Sequence, residues 1–316
     1  MTCDARRSDE RGTRPPGRQG QRYYNNRGVS TVRLERGRQS RNIEDRRGGR
    51  GRRAAVGGGI GALLLALVAM FLGVDPAILT QGVKQVAPVQ SSGVGSGGRS
   101  PAEDELAKFV SMVLADTEDT WTPIFRSGGQ VYREPTLVLF SGSTQSACGF
   151  AKAAMGPFYC PADQKVYIDL QFYDDLQNRF GAPGDFAQAY VIAHEIGHHV
   201  QTQLGIADKV SRAQRRASKA QANQLQVLME LQADCLAGVW ANHANRARSI
   251  LERGDIEEGL NAAAAIGDDR LQRQSQGYVV PESFTHGSSA QRVHWFKQGL
   301  QYGDLQRCDT FAEGAR

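Results

Sequence analysis

The longest uninterrupted apolar stretch in the chain runs from Ala54 to Val74 (AAVGGGIGALLLALVAMFLGV), 21 residues without a charge. About 20 such residues cross a hydrocarbon layer of roughly 30 Å as a helix. Arg52 and Arg53 stand directly before the run, and basic flanks favour the cytoplasmic side. A cleaved signal peptide would carry a shorter apolar core nearer the N-terminus. A buried core helix would be weakened in water by Gly57, Gly58 and Gly59. The pattern therefore predicts one transmembrane helix over 54–74, with residues 1–53 inside and everything after Asp75 outside the cell membrane.

Beyond the span, residues 75–101 read as a flexible linker rich in Gly, Ser and Val. Periodic order begins near Ala102, where Leu106, Phe109, Val110 and Val113 recur at helical spacing behind Glu103, Asp104 and Glu105, so a helix to about residue 118 is predicted. Thr136 to Phe140 (TLVLF) reads as a buried strand and Lys165 to Leu170 (KVYIDL) as a half-buried one. Val166 to Leu170 could equally be a sheet edge that pairs with an extended peptide or a plain structural strand. After the turn at Gly181–Gly184, a helix capped by Asp185 carries Ala189, Tyr190, Ile192, Ala193, Ile196 and Val200 and ends at Leu204–Gly205. A second long helix is predicted from about Lys209 to Asn242, with further helical segments near 255–275 and 289–300. Residues 102–316 thus make a mainly helical α+β domain.

Composition adds one asymmetry to this picture. At 316 residues, 40% hydrophobic and 22% charged, the chain has room for one domain with appendages. Residues 1–53 hold sixteen Arg against six Asp or Glu, so the rest of a chain of net charge +5 is acidic. A basic arm poor in apolar residues reads as disordered. It could touch RNA or anionic lipid, but no recognition pattern of interleaved aromatic residues accompanies the arginines, so a solvated cytoplasmic tail is preferred and no nucleic-acid partner is expected. Lipid is met through the span.

Five cysteines divide with the same topology. Cys3 falls inside, and Cys148, Cys160, Cys235 and Cys308 fall outside, where bridges form. Three pairings are open to four cysteines. The short loop with Gly149, Gly156 and Pro157 favours Cys148 with Cys160, which leaves Cys235 for Cys308. Four buried free thiols are the alternative in a reducing compartment.

The chemistry concentrates at His194–Glu195–Ile196–Gly197–His198, an HExxH sequence. Residues four apart on a helix differ by about 40° in projection, so both imidazoles can hold one zinc ion while Glu195 on the neighbouring face reaches a water beside it. Catalytic zinc usually takes three protein ligands. The best third candidate is Glu230 in ELQAD, because Asp234, one turn later, could hold a ligand histidine by its free ring nitrogen. An unpaired carboxylate on so apolar a helix would be costly. His199, turned about 100° from His198, and His243, roughly 20 Å along the second helix from Glu230, are weaker rivals. The pattern points to hydrolysis by zinc-activated water with one Zn2+ per chain. A zinc-binding scaffold without turnover is the other reading, and the presence of Glu195 argues against it, since a structural site needs no base.

HEIGHHVQ, MELQADCLAGVW and FTHGSSAQRVHWFKQG together resemble the family called putative neutral zinc metallopeptidases, single-span bacterial proteins. The similarity starts in the arm at RLERGRQSRNIEDRRG and runs to about residue 309. Residues 1–28 have no counterpart, and Val29 could be the true start. The resemblance implies a zincin-like metallopeptidase domain acting on peptide or protein substrates, with His194 and His198 as ligands and Glu195 as base. ELQAD is also similar to the ExxAD box of integral-membrane peptidases that include the CAAX-processing protease, which implies Glu230 as third ligand. In that group a Thr-His pair is followed six residues after the His by Arg, matched here by Thr285, His286 and Arg292. This similarity makes His286 the candidate stabiliser of the oxyanion, with Arg292 supporting it or gripping substrate. Tyr278 is a second candidate for the same hydrogen bond.

Overall fold

Ser100 starts the first long helix with a reciprocal cap, its hydroxyl accepting the N–H of Glu103 while the Glu103 carboxylate accepts the N–H of Ser100. This helix, α1 (Pro101–Ser127), belongs to a computed structural model that describes residues 32–34, 37–48 and 100–313. It runs well past residue 118 because Trp121 and Phe125 continue its buried stripe, and Pro123 is accommodated without ending it.

Strands β1 (Ile43–Asp45), β2 (Thr136–Phe140), β5 (Phe158–Cys160) and β6 (Lys165–Asp169) form one sheet in the order β1-β2-β6-β5. The pairs β1–β2 and β2–β6 are parallel and β5–β6 is antiparallel. A separate hairpin joins β3 (Ser143–Ser146) to β4 (Gly149–Lys152). The strand at 165–169 is therefore interior to the sheet, paired with β2 along its length and with β5 over residues 165–167, and the possible role of Val166–Leu170 as a sheet edge is corrected for Val166 and Tyr167. The edge on that side is β5.

Short helix α2 (Gln171–Asn178) leads to α3 (Asp185–Gln203), which carries HEIGH and buries Phe186, Tyr190, Ile192, Ile196 and Val200 completely. Gly205, at φ +70, ends that passage in the left-handed region that glycine favours. The single helix expected from 209 to 242 is two, α4 (Ile206–Gln214) and α5 (Lys219–Arg248). Ser218 forms a capping box with Gln221 and restarts the chain in a new direction. Likewise 255–275 divides into α6 (Asp255–Ala265) and α7 (Asp268–Gln276) at Gly267, whose backbone packs where a Cβ would stand 2.4 Å from the Ser289 nitrogen. The chain ends with α8 (Ser289–Tyr302) and the short α9 (Thr310–Glu313). Helix α5 is the centre of this mainly helical α+β fold, packing on α3, α4 and α8.

Both bridges form as expected, Cys148 to Cys160 and Cys235 to Cys308. The first ties the start of β4 to the edge strand β5, and the second ties α5 to the turn after α8.

Among the described residues no helix is long and apolar enough to cross a membrane. The run Ala54–Val74 lies outside them, as do linker residues 75–99 and arm residues 1–31. One part of the expected disordered arm, however, is folded. Val32 and Leu34 are buried in the core, and Val32 N–H donates to Asp185 Oδ2. The buried Glu118 accepts from Arg38 Nη2, Ser40 Oγ and Asn42 Nδ2. Arg47, 6% exposed, donates to the Glu103 carbonyl and to Asp45, while Lys165 pairs with Glu44. The arm as a separate 1–53 unit is thus corrected for residues 37–48, whose polar side chains find fixed partners on α1 and the sheet.

Candidate metal centre

Two helices build the site. At Gly197 a Cβ would stand 2.9 Å from the Ala233 carbonyl oxygen of α5, so the glycine of HEIGH lets α3 and α5 approach at backbone distance. A glycine inside a helix costs about 1 kcal/mol relative to Ala, and here it brings Glu230 against the histidines.

The result is a cluster in which His194, His198 and Glu230 each present a ligand atom within 4.8 Å of the others. His194 Nε2 lies 3.2 Å from Glu230 Oε2, and His198 Nε2 lies 3.6 Å from Glu230 Oε1. Each ring is held by its other nitrogen. His194 Nδ1 donates to Asp234 Oδ1 at 2.8 Å. His198 Nδ1 donates to Gln201 Oε1 at 2.9 Å, and the Gln201 amide donates on to the Met229 carbonyl and to Gln232. With Nδ1 committed as donor on both rings, both Nε2 atoms face Glu230, protonated in the metal-free chain and free to bind a cation once that proton leaves. Two imidazole nitrogens and a carboxylate oxygen are a donor set that fits zinc. Gln226 Nε2 donates to Glu230 Oε1 at 2.8 Å and steadies the carboxylate.

Without a metal this cluster holds protons. Burial opposes charge on His194, but Asp234 and Glu230 outweigh it and push the ring up to about 10. Burial likewise opposes the charge of Glu230, and the two histidines overcome it and hold the carboxyl well below its usual range. A cation entering the site takes over the role of those protons.

Asp234 is fully buried. Besides His194 it receives Tyr190 OH, Arg292 Nε at 2.8 Å and Arg292 Nη2 at 2.9 Å. Arg292 is 1% exposed and also donates to the Ile266 carbonyl. It therefore lies behind the histidine ligand on Asp234, and it also lines the cavity that His286 lines. Helix α8 can bring it there because Gly299, where a Cβ would be 1.8 Å from the Cys235 carbonyl oxygen, packs directly on the α5 backbone.

A cavity of about 950 Å³ opens over the cluster, and Glu195, His286 and the edge strand residues Phe158 and Tyr159 share its lining with all three ligand candidates. Glu195 is thus on the face toward the site, as its helical position predicts. Tyr278, the other candidate for the oxyanion, is 62% exposed and does not line the cavity. His199 is fully buried; its Nε2 donates to the Arg133 carbonyl and its Nδ1 accepts from Tyr159 OH, so it fastens β5 to α3. Burial pushes its pKa down to about 4. His243 bonds the Gly303 carbonyl at the far end of α5, away from the cavity. Gln201, Gln226 and Asp268, which orients His286, were not singled out in the sequence. The first two could have been found by stepping three or four residues along a helix from a ligand.

Fold and site together define a mainly helical α+β domain with a pocket of two histidines and a glutamate on crossing helices. The chain belongs to the family described as putative neutral zinc metallopeptidase, whose profile matches residues 26–311 and so includes β1. It is 54% identical over 285 residues to the uncharacterized protein YpfJ of Escherichia coli K12, covering 87% of this chain and 97% of that protein. It is 41% identical over 258 residues to the uncharacterized protein Rv2575 of Mycobacterium tuberculosis H37Rv, covering 77% of this chain and 85% of that protein. No solved structure matches the chain.

Proposed function

We propose that this chain hydrolyses peptide bonds outside the cytoplasm, with one zinc ion held by His194, His198 and Glu230. The observation that carries the reading is the convergence of two Nε2 atoms, on rings each fixed by a donor bond at Nδ1, with Glu230 within 4.8 Å and Glu195 on the same cavity wall. When bound, zinc polarises the scissile carbonyl and lowers the pKa of water toward neutrality. Glu195 takes the proton from the attacking water and returns it to the leaving amine. His286 donates a hydrogen bond to the oxygen that becomes negative. Arg292 acts through Asp234, keeping that carboxylate charged and the His194 ring in its orientation. Strand β5, an edge strand lining the cavity, offers backbone groups to an extended peptide.

The extracytoplasmic placement is supported by the two bridges, which persist in oxidising compartments. The run Ala54–Val74 remains the segment proposed to meet lipid. Because β1 is hydrogen-bonded to β2, we place residues 37–48 on the same side as the domain, in place of the expected cytoplasmic position.

Glu195→Gln tests the enzyme reading. The purified variant keeps about one zinc per chain and loses peptide hydrolysis by at least a hundredfold. Undiminished hydrolysis by the variant removes Glu195 as base. A zinc-loaded wild type that cleaves nothing in a broad peptide library supports the scaffold reading.

A further inference from the structure

Asp268 opens helix α7 and is only 7% exposed. One of its carboxylate oxygens, Oδ2, accepts the backbone N–H groups of Thr285, His286 and Gly287 at 2.7, 2.6 and 3.1 Å. The other, Oδ1, lies 3.2 Å from His286 Nδ1. In return Asp268 N–H donates to the Gly287 carbonyl. The loop that carries His286 is therefore wrapped around a single side chain. Gly287, at φ +87, takes the left-handed turn that this requires.

An ionised carboxylate only accepts hydrogen bonds. A hydrogen on His286 Nδ1 suits both oxygens beside it, Asp268 Oδ1 at 3.2 Å and Thr285 Oγ1 at 3.1 Å, and the ring turns its Nε2 edge away from Asp268. The His286 side chain is half exposed and lines the cavity beside Glu195 and Glu230. We propose that Asp268 is a positioning residue that holds His286 with Nδ1 as donor and Nε2 directed to the substrate carbonyl. This rests on the reading of the site as a peptidase.

The charges around the ring agree with the geometry. Asp268 on α7 raises the pKa of His286, while burial and Arg292 on α8 oppose it; the rise from Glu230 on α5 belongs to the metal-free chain, since a bound cation offsets that charge. The protonated ring, with a hydrogen on Nε2, is the form that can donate to a developing oxyanion. Asp268 thus favours the donor form as well as the orientation. The sign follows directly: activity that needs protonated His286 is present below its pKa and lost as pH rises through it, so a carboxylate that raises the pKa extends activity toward higher pH.

The test uses the full zinc-loaded chain with Asp268→Asn, His286→Ala and the double variant. Asp268→Asn is expected to lower kcat by about tenfold to a hundredfold, with KM changed less than about threefold. Its zinc content stays at the wild-type level. The basic limb of its pH profile moves to lower pH. In the His286→Ala background the same change adds less than about threefold, because a positioning residue has nothing left to position. Full additivity of the two substitutions, or a basic limb that does not move, overturns the proposal. If the wild type hydrolyses nothing, NMR of the His286 ring decides the matter without turnover. A proton on Nδ1 in the neutral ring, with a titration midpoint that falls in Asp268→Asn, supports the proposal. A neutral ring whose single proton sits on Nε2 overturns it.

Discussion

His194 Nδ1 lies 2.8 Å from Asp234 Oδ1, and that carboxylate is completely buried. A buried carboxylate is stable only with partners, and Arg292 supplies the balancing charge through two hydrogen bonds of 2.8 and 2.9 Å. The same group that fixes a ligand ring therefore anchors α8 to α5. Metal affinity and folding stability share one side chain.

That sharing separates two substitutions. Asp234→Asn removes the charge but keeps the shape, and is expected to weaken zinc binding by roughly tenfold to a hundredfold. Arg292→Met leaves the buried Asp234 charge with His194 and Tyr190 but without its guanidinium partner, and is expected to cost about 3 kcal/mol of stability. Competition with a chelator measures the first and chemical denaturation the second. Because Asp234→Asn strands the buried Arg292 in turn, both variants are expected to lose stability, and undiminished stability of Arg292→Met would mean that Arg292 does not balance the charge on Asp234.

Zinc affinity should fall as the medium is acidified. In the metal-free protein His194 is pushed up to about 10 and His198 is also raised, burial being outweighed by the carboxylates around each ring. Protons must therefore leave before Nε2 can bind a cation, and apparent affinity is expected to drop by about tenfold per pH unit for each proton displaced. Titration at several pH values with a zinc buffer reads the slope. A flat profile between pH 8 and 6 contradicts the assignment of the two histidines.

Much of this site was legible because its signals are local. HEIGH sits on one helix face whatever surrounds it, and the Glu230–Asp234 pair lies one turn apart on an apolar helix. What escaped the sequence depends on contacts between distant segments. Strand β1 is three residues, Ile-Glu-Asp, with no apolar alternation to announce it. Its place is set by Glu118 and Arg47, whose partners lie 56 to 80 residues away. The helix breaks before Ser218 and Asp268 were hidden for another reason: the first is made by the capping box of Ser218 with Gln221 and the second by the close packing of Gly267 on Ser289, neither of which the surrounding helix-forming sequence announces. Asp268 gave no signal toward His286 because it is 18 residues upstream.

The bridge from Cys235 to Cys308 closes a separation of 73 residues, for which the chain-entropy estimate gives about 4 kcal/mol. Cys235 directly follows Asp234 on α5. Reduction is thus expected to lower the unfolding midpoint and to loosen the metal site together. The bridge from Cys148 to Cys160 is 12 residues in separation, and neither cysteine lies on a helix that carries a ligand. Replacing that pair with Ser should reduce stability less and leave zinc affinity near the wild-type value. Thermal unfolding with parallel zinc analysis compares them. Retention of full affinity after loss of the Cys235 bridge refutes the link to the metal.

The last prediction concerns which side of a membrane each part occupies. Residues 43–45 and 137–139 are hydrogen-bonded neighbours in one sheet, and Arg38, Ser40 and Asn42 all donate to Glu118. Both sets of partners must lie on the same side of any membrane. A single crossing between them would have to dissolve this strand pair and leave Glu118, 1% exposed, without its donors. Arg41 is exposed and Tyr302 is 41% exposed. Arg41→Cys and Tyr302→Cys, each made with Cys3→Ser, should be labelled to the same extent by a membrane-impermeant maleimide on intact cells. Protection of the first with labelling of the second would show that the strand is parted from the domain in the cell. Glu118→Ala adds a second reading, since stripping a buried acceptor from three donors costs about 1–3 kcal/mol. It is expected to free residues 37–48 for proteolysis while the sheet from β2 onward stays intact. If the arm stays protected in that variant, Glu118 is not what holds it.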